Sequence, residues 1–316
     1  MSTGRFFHHN FIVSLLLCMI ALLTLNACSK DDGKHTASEG GSGKKRTTLD
    51  SCPMPDASGS RVWTSTDQTV QVDASHTEDG YVLVSYTGSA DKVQVQVTNP
   101  DGSRNPYPLE LGSYRGIPLT GGNGDYLLQV LIHVSGKKYA IGLSESFTVQ
   151  LKDEFTPYLY PNQYCDYSPD SDCVLKGREI SRNSTDDLNY IGNVYQFVIQ
   201  NISYDEDFAK NIPVNYLPNP DTTMSVKKGI CLDYASLTTA MLRSQGIPTK
   251  LEVGYSDDVY HAWVSVWTEE TGWIDNAIEF TGDWTRVDPT LGANNKSSSV
   301  KKYIGDGSHY TLDYNY

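Results

Sequence analysis

The stretch that decides the fold reads Lys-Lys-Gly-Ile-Cys-Leu-Asp-Tyr-Ala-Ser-Leu at residues 227–237. Its glycine predicts a turn, and the residues that follow have the apolar spacing of an α-helix. Cys231 is therefore expected in the first turn of a helix, where unpaired backbone N–H groups and the positive end of the helix dipole favour a thiolate over a thiol. Because the thiolate is the nucleophilic form of cysteine, this position indicates a reactive side chain.

Later in the chain, a histidine and an aspartate complete a nucleophilic site. His261 lies in an alternating apolar-polar stretch that predicts a strand, and Asp288 ends a second such stretch. Asp275 also follows His261 on a predicted strand and is an alternative carboxylate. Taken singly, Cys231 or His261 is better explained as a core residue. Together, a cysteine on a helix followed by a histidine and a carboxylate on strands are the parts of an acyl-transfer triad.

Around these residues the sequence resembles the transglutaminase-like superfamily. The family's G-x-C-x-D-(Y/F)-A helix start, H-x-W strand and D-P-T strand end are all present, in that order. The resemblance covers about residues 185–316 and implies an α+β, papain/transglutaminase-like fold. It implies that Cys231 is the nucleophile, that His261 is the base and that Asp288 orients the imidazole. It favours Asp288 over Asp275, because only Asp288 is followed by Pro-Thr.

Two more side chains are candidates near the thiol. An acyl-transfer site needs an oxyanion hole, and the backbone N–H of Cys231 is the first donor expected. Tyr204 is a candidate for the second donor, since superfamily members often carry an aromatic donor before the catalytic turn; a packing role is the alternative. Asp233 is expected to accept backbone N–H groups of the helix's first turn.

These residues support attack on a carboxamide or ester carbonyl to give a thioester. Opening of the thioester by water is hydrolysis, and opening by a lysine amine makes an isopeptide cross-link. We expect a thiol hydrolase, a peptidase acting on peptides or proteins, with cell-wall peptides among the candidate substrates. The alternatives are a protein-glutamine transglutaminase and an inactive binding or assembly protein. The sequence has no recognisable cofactor motif, and no metal site is expected.

The first residues predict export. Residues 11–25 are apolar, and Leu-Asn-Ala-Cys at residues 25–28 resembles the lipobox of bacterial lipoproteins. Residues 1–27 are therefore expected to be a signal peptide that is cleaved before Cys28, whose thiol carries the lipid. The protein is then held on the extracytoplasmic side of the cell membrane. An uncleaved N-terminal anchor is the alternative.

Composition divides the rest of the chain. Residues 28–60, rich in Gly, Ser, Lys and Thr, predict a flexible tether that contains the free thiol Cys52. Residues 61–152 alternate apolar and polar side chains between Gly, Asn and Asp turns, which is typical of an immunoglobulin-like β-sandwich. Residues 153–184 are a predicted connector, and residues 185–316 are the predicted catalytic domain.

The connector contains two cysteines around an acidic turn. In an exported protein, Cys165 and Cys173 at this spacing predict a local disulfide. Three aspartates of the same segment are better explained as a solvated turn than as calcium ligands, because their spacing fits no known ligand loop.

The charge balance excludes one class of partner. The chain of 316 residues has 38 acidic and 25 basic side chains, a net charge of −13. An acidic protein is repelled by phosphate backbones, so nucleic-acid binding is not expected.

Overall fold

The computed structural model describes residues 46–316, and it is a mixed α/β structure with a large β content. The predicted signal peptide, Cys28 and most of the predicted tether lie outside the described residues. Within residues 46–316, none of the helices combines the length and apolarity needed to cross a bilayer.

The first half of the described chain consists of antiparallel strands. Their bounds are β1 Val62–Thr64, β2 Val70–Asp73, β3 Tyr81–Tyr86, β4 Val93–Thr98, β5 Arg104–Leu109, β6 Arg115–Pro118, β7 Gly124–Ser135 and β8 Lys138–Val149. They form two four-stranded sheets, in the orders β1-β2-β3-β6 and β5-β4-β7-β8.

The two sheets share an apolar core. Strand β4 alternates buried and partly exposed residues along its length, as expected for a strand with one face in a core. Between the sheets, the rings of Trp63 in β1 and Phe147 in β8 have centroids 5.1 Å apart. Strand positions and turns therefore follow the alternating sequence pattern, while the immunoglobulin-like assignment stays a prediction.

The second half combines helices with a small antiparallel sheet. The helices are α1 Asp172–Arg182, α2 Asp187–Asn201, α3 Glu206–Ala209, α4 Pro220–Val226, α5 Cys231–Arg243, α6 Pro289–Asn294 and α7 Ser297–Ile304. The strands are β9 Ser203–Tyr204, β10 Lys228–Gly229, β11 Thr249–Ser256, β12 Val259–Val266, β13 Thr271–Ile274, β14 Ile278–Thr281, β15 Thr285–Val287 and β16 Tyr310–Asn315.

Helix α5 is central to this half. Every residue from Asp233 to Arg243 is buried, because α1, α2 and α4 pack on one side of the helix and β11 and β12 on the other. The sheet has the order β15-β12-β11-β16, with all neighbouring strands antiparallel. The helix that begins at Cys231 is therefore held rigidly against the strand that carries His261.

The segment predicted as a connector contains regular structure. Helix α1 lies within it and packs against α5, so the helical layer begins at Asp172. The next helix is capped by Asp186, whose carboxylate accepts the N–H of Asn189 at 2.7 Å.

Residues 46–56 do not behave as the flexible tether that their composition predicts. The guanidinium of Arg46 lies 3.9 Å from the ring centroid of Tyr190, pairs with Asp187, and donates to the carbonyl of Gln245 at 2.7 Å. Cys52 is only 5% exposed. Thr48, Leu49 and Asp56 also make long-range hydrogen bonds, to Ser181, Gln245 and Tyr81, and composition does not reveal such contacts.

The predicted Cys165–Cys173 disulfide is wrong, because both are free, buried thiols. The Cys165 sulfur accepts a hydrogen bond from Arg243 at 3.3 Å, whereas Cys173 lies in the first turn of α1, where its N–H donates to Asp221 at 2.9 Å. The two cysteines thus belong to separate contacts. Burial raises the pKa of both thiols and keeps them protonated.

Thiol accessibility tests this arrangement. In native protein without reductant, iodoacetamide should modify Cys231 and leave Cys52, Cys165 and Cys173 intact, since those three are buried. Denaturation before alkylation should expose all four, as measured by peptide mass mapping. If Cys165 and Cys173 stayed unmodified in denaturant until a reductant was added, they would be joined after all.

Candidate active site

The turn before Cys231 is built from backbone constraints. Lys227 adopts a left-handed conformation at φ 56°, and β10 then pairs in parallel with β9, so that Gly229 lies opposite Tyr204. A Cβ at position 229 would lie 2.6 Å from the Cβ of Asp233, which leaves room for glycine alone. The chain enters α5 at Cys231, and the partly exposed thiol stands at the helix N-terminus as predicted.

Asp233 fixes this helix start, as the sequence predicted. Its Oδ2 accepts the N–H of Ile230 at 2.8 Å, and its Oδ1 accepts the hydroxyl of Tyr216 at 2.6 Å. Burial raises the pKa of Asp233, although both hydrogen bonds oppose that shift. The side chain is thus used for local structure and ties residue 216 to the catalytic turn.

The structure brings the three predicted triad residues together. The Nε2 of His261 lies 2.8 Å from Oδ2 of Asp288, and Cys231 lies close enough to His261 to help raise the pKa of the imidazole. Since Nε2 is engaged by the carboxylate, Nδ1 is the ring nitrogen left for the sulfur. Asp288 is 1% exposed, so its partners must come from the protein.

The electrostatics favour an ion pair. Burial alone would lower the pKa of His261, but the charge and hydrogen bond of Asp288 and the contact with Cys231 raise it well above 6.5. Burial opposes the charge of Asp288, yet His261, Leu291 and Tyr310 lower its pKa from 3.8. The imidazolium–carboxylate pair therefore persists from below pH 3.8 to above pH 6.5.

Asp288 also has a structural task. Its Oδ1 accepts the N–H of Leu291 at 2.9 Å, so it is the N-cap of α6, and Pro289 occupies the first helical position. Its Oδ2 accepts the hydroxyl of Tyr310 at 2.9 Å in addition to His261. Tyr310 was not predicted as a site residue, because nothing in the local sequence pattern of the last strand places it beside residue 288.

The structure also places Asp275, the alternative carboxylate, and Tyr204, the candidate oxyanion donor. Asp275 lies in the turn between β13 and β14, where its carboxylate accepts the hydroxyl of Ser297 at 2.7 Å. Its bonded partner is thus Ser297, whereas Asp288 is the carboxylate bonded to His261. Burial raises the pKa of the Tyr204 hydroxyl, and the charge of Cys231 raises it further. Tyr204 therefore stays protonated.

A buried carboxylate lies behind the histidine strand. Glu252 in β11 accepts the Nε1–H of Trp263 at 2.5 Å and the hydroxyl of Ser265 at 2.6 Å. Trp263 is fully buried two residues after His261 on the same strand. This network fixes β12 in register behind the imidazole. Within residues 46–316, no cluster of His, Cys, Asp and Glu has the arrangement needed to hold a metal ion.

Residues 176–276 match the model of the transglutaminase-like superfamily. This part of the chain is a transglutaminase-like domain. The matched range contains Cys231 and His261 and ends before Asp288. Asp288 is therefore assigned to the site from its hydrogen bond with His261.

Two relatives match this chain over a short length. UPF0252 protein MJ1282 of Methanocaldococcus jannaschii is 35% identical over 96 residues, 27% of this chain and 27% of that protein. Uncharacterized protein ML0607 of Mycobacterium leprae is 34% identical over 98 residues, 27% of this chain and 29% of that protein. The chain thus spans less than a third of the length of these relatives. The solved structure of a candidate cysteine protease from Cytophaga hutchinsonii has a TM-score of 0.36 and 15% identity, over 65% of this chain and 68% of that one.

Substitution can distinguish the roles of the Asp288 and Asp275 carboxylates. Asp288→Asn keeps an oxygen for the Leu291 N–H but removes the charge that pairs with His261, so acylation of Cys231 by an activated ester should slow by roughly 10³-fold. Asp275→Asn removes a carboxylate bonded to Ser297 and should leave the rate nearly unchanged. Acylation is followed by intact-protein mass spectrometry, with circular dichroism to verify folding. A larger loss in Asp275→Asn would reverse the assignment.

Proposed function

We propose that this protein is an extracytoplasmic, membrane-anchored thiol hydrolase that cleaves peptide or protein substrates through a thioester on Cys231. The observation that carries the proposal is the 2.8 Å contact between His261 and the buried Asp288, with Cys231 close enough to His261 to help raise the pKa of its imidazole. This arrangement supplies a nucleophile, a base and an orienting carboxylate.

The chemistry follows from these contacts. The sulfur of Cys231 attacks the carbonyl carbon while its proton resides on Nδ1 of His261, and Asp288 stabilises the resulting imidazolium. The imidazolium then protonates the leaving amine as the C–N bond breaks, giving the thioester. His261, neutral again, removes a proton from water, which attacks the thioester. The C–S bond breaks, the acid is released, and Cys231 and His261 return to the thiolate and imidazolium forms.

The developing oxyanion needs donors. The N–H of Cys231 is in the first turn of α5 and has no intrahelical acceptor, so it is one donor. We assign the hydroxyl of Tyr204 as the second, because it is protonated and its strand pairs with the one that leads into Cys231. Its placement follows from the pairing of β9 with β10, which fixes Tyr204 opposite Gly229.

Water is the proposed acceptor, and competition tests it. Peptide libraries with millimolar lysine analogue should give free acid as the main product, and Cys231→Ala should abolish turnover. His261→Ala removes the proposed base and leaves Cys231 in place. Its thiol should still be alkylated in denatured protein, while its turnover should fall by ~10³-fold or more. Isopeptide product in excess of acid would support a protein-glutamine transglutaminase. A reactive Cys231 without any turnover would support a binding role.

Anchoring is the second part of the proposal, and it rests on the lipobox-like residues 25–28. Bacterial cells labelled with a fatty-acid analogue should incorporate it into the wild type, while Cys28→Ala should prevent labelling and leave a longer precursor. Cys52→Ala is the matched control, since Cys52 is buried in the folded body and should not alter labelling. A mature protein with an intact N-terminus would refute cleavage and lipidation.

The β-rich half is proposed to be an immunoglobulin-like spacer that carries the catalytic domain away from the membrane. The two antiparallel sheets and their common core support this assignment. Fold alone does not assign such a module a ligand.

A further inference from the structure

Asp288 receives one more strong donor than a triad carboxylate requires. The hydroxyl of Tyr310 lies 2.9 Å from Oδ2, the same oxygen that lies 2.8 Å from Nε2 of His261. The other oxygen accepts the N–H of Leu291. Asp288 is 1% exposed and Tyr310 9%, so protein groups rather than bulk water surround the carboxylate.

Tyr310 is itself held from several sides. It begins β16 and pairs with Ser256 of β11, the strand next to the histidine strand. Its ring packs edge-on against Trp263 at 4.9 Å, and the guanidinium of Arg286 lies 4.5 Å from the ring centroid. The preceding residue, His309, is bonded through Nδ1 to Asp257 at 2.7 Å. The hydroxyl is thus placed by two strands and two ring contacts and has little freedom to leave Asp288.

We propose that Tyr310 is a positioning residue of the active site, whose hydroxyl fixes the rotation of the Asp288 carboxylate so that Oδ2 faces His261. The inference deepens the proposed thiol chemistry and rests on it. Tyr310 touches neither the sulfur nor the substrate position, and it acts through Asp288.

The physical reason lies in the number of donors at each oxygen. A carboxylate held only by Leu291 and His261 can turn about its Cβ–Cγ bond and offer the imidazole a bent hydrogen bond, and bent bonds are weak. The Tyr310 hydroxyl is the third donor to the carboxylate and the second at Oδ2, and it removes that freedom. A hydrogen bond to a charged group is stronger than one between neutral groups, so its loss should cost about tenfold in a rate that depends on it.

The hydroxyl also stabilises the charged form of Asp288 and so contributes to the lowering of its pKa. Without it that pKa rises, and because a lowered carboxylate pKa protects the charge as pH falls, the loss of activity on the acid side should begin at a higher pH. The titratable and charged groups near Asp288 come from five elements: Cys231 of α5, His261 of β12, Tyr310 of β16, Arg286 of β15 and Tyr195 of α2.

The test compares Tyr310→Phe with Tyr303→Phe. Tyr303 is a neighbouring ring, 6.0 Å from Tyr310, whose hydroxyl bonds Asp257 and Ser256. Both variants remove one hydroxyl and keep the ring. The rate of Cys231 alkylation by iodoacetamide and the kcat and KM for a peptide substrate are measured from pH 4 to 9 on the full chain.

Tyr310→Phe should lower kcat about tenfold with KM unchanged, and should move the acid limb of alkylation and of kcat to higher pH. Tyr303→Phe should match the wild type in all three. Wild-type behaviour of Tyr310→Phe, or equal shifts in both variants, would overturn the positioning role. If the wild type itself shows a slow, triad-independent alkylation and no turnover, the proposed function fails instead, and the two failures are distinguishable.

Discussion

The arrangement of the half that contains the transglutaminase-like domain depends on one buried cation. Arg243, the last residue of α5, is fully buried, and a guanidinium does not lose its proton in proteins. Its donors bind the main-chain oxygens of Thr249, Tyr160 and Tyr316 at 2.8, 2.8 and 2.5 Å. Removing such a charge from water costs several kcal/mol unless every donor is paired, so these segments are held where the acceptors are needed.

The two ends of α5 are therefore organised by opposite charges. The C-terminal end carries the paired guanidinium, which joins the start of β11, the connector and the end of β16. The N-terminal end carries the sulfur of Cys231. The negative charge near this end belongs to Asp288, at the start of α6, which is hydrogen-bonded to His261. Because β16 contacts Arg243 near one end and Asp288 near the other, this strand couples the packing of the helix to the geometry of the site.

Local patterns predicted the parts that depend on local physics. The helix start at Cys231 and the strand of His261 follow from a glycine turn and an alternating stretch. The choice of Asp288 came instead from the resemblance to the transglutaminase-like superfamily, which places Pro-Thr after its aspartate. Tyr310 depends on long-range strand pairing, which a single sequence does not reveal. The disulfide prediction failed for the same reason, since Cys165 is bonded to Arg243, 78 positions along the chain.

The short arm at residues 46–56 has a consequence for reach. Since Arg46 packs on the helical layer beside Gln245, the free length of any lipid tether ends at about residue 45 instead of residue 60. A chain from Cys28 to that point, even at full extension, spans at most roughly 60 Å. For a molecule anchored at Cys28, the arm therefore limits how far from the bilayer surface the folded body can begin.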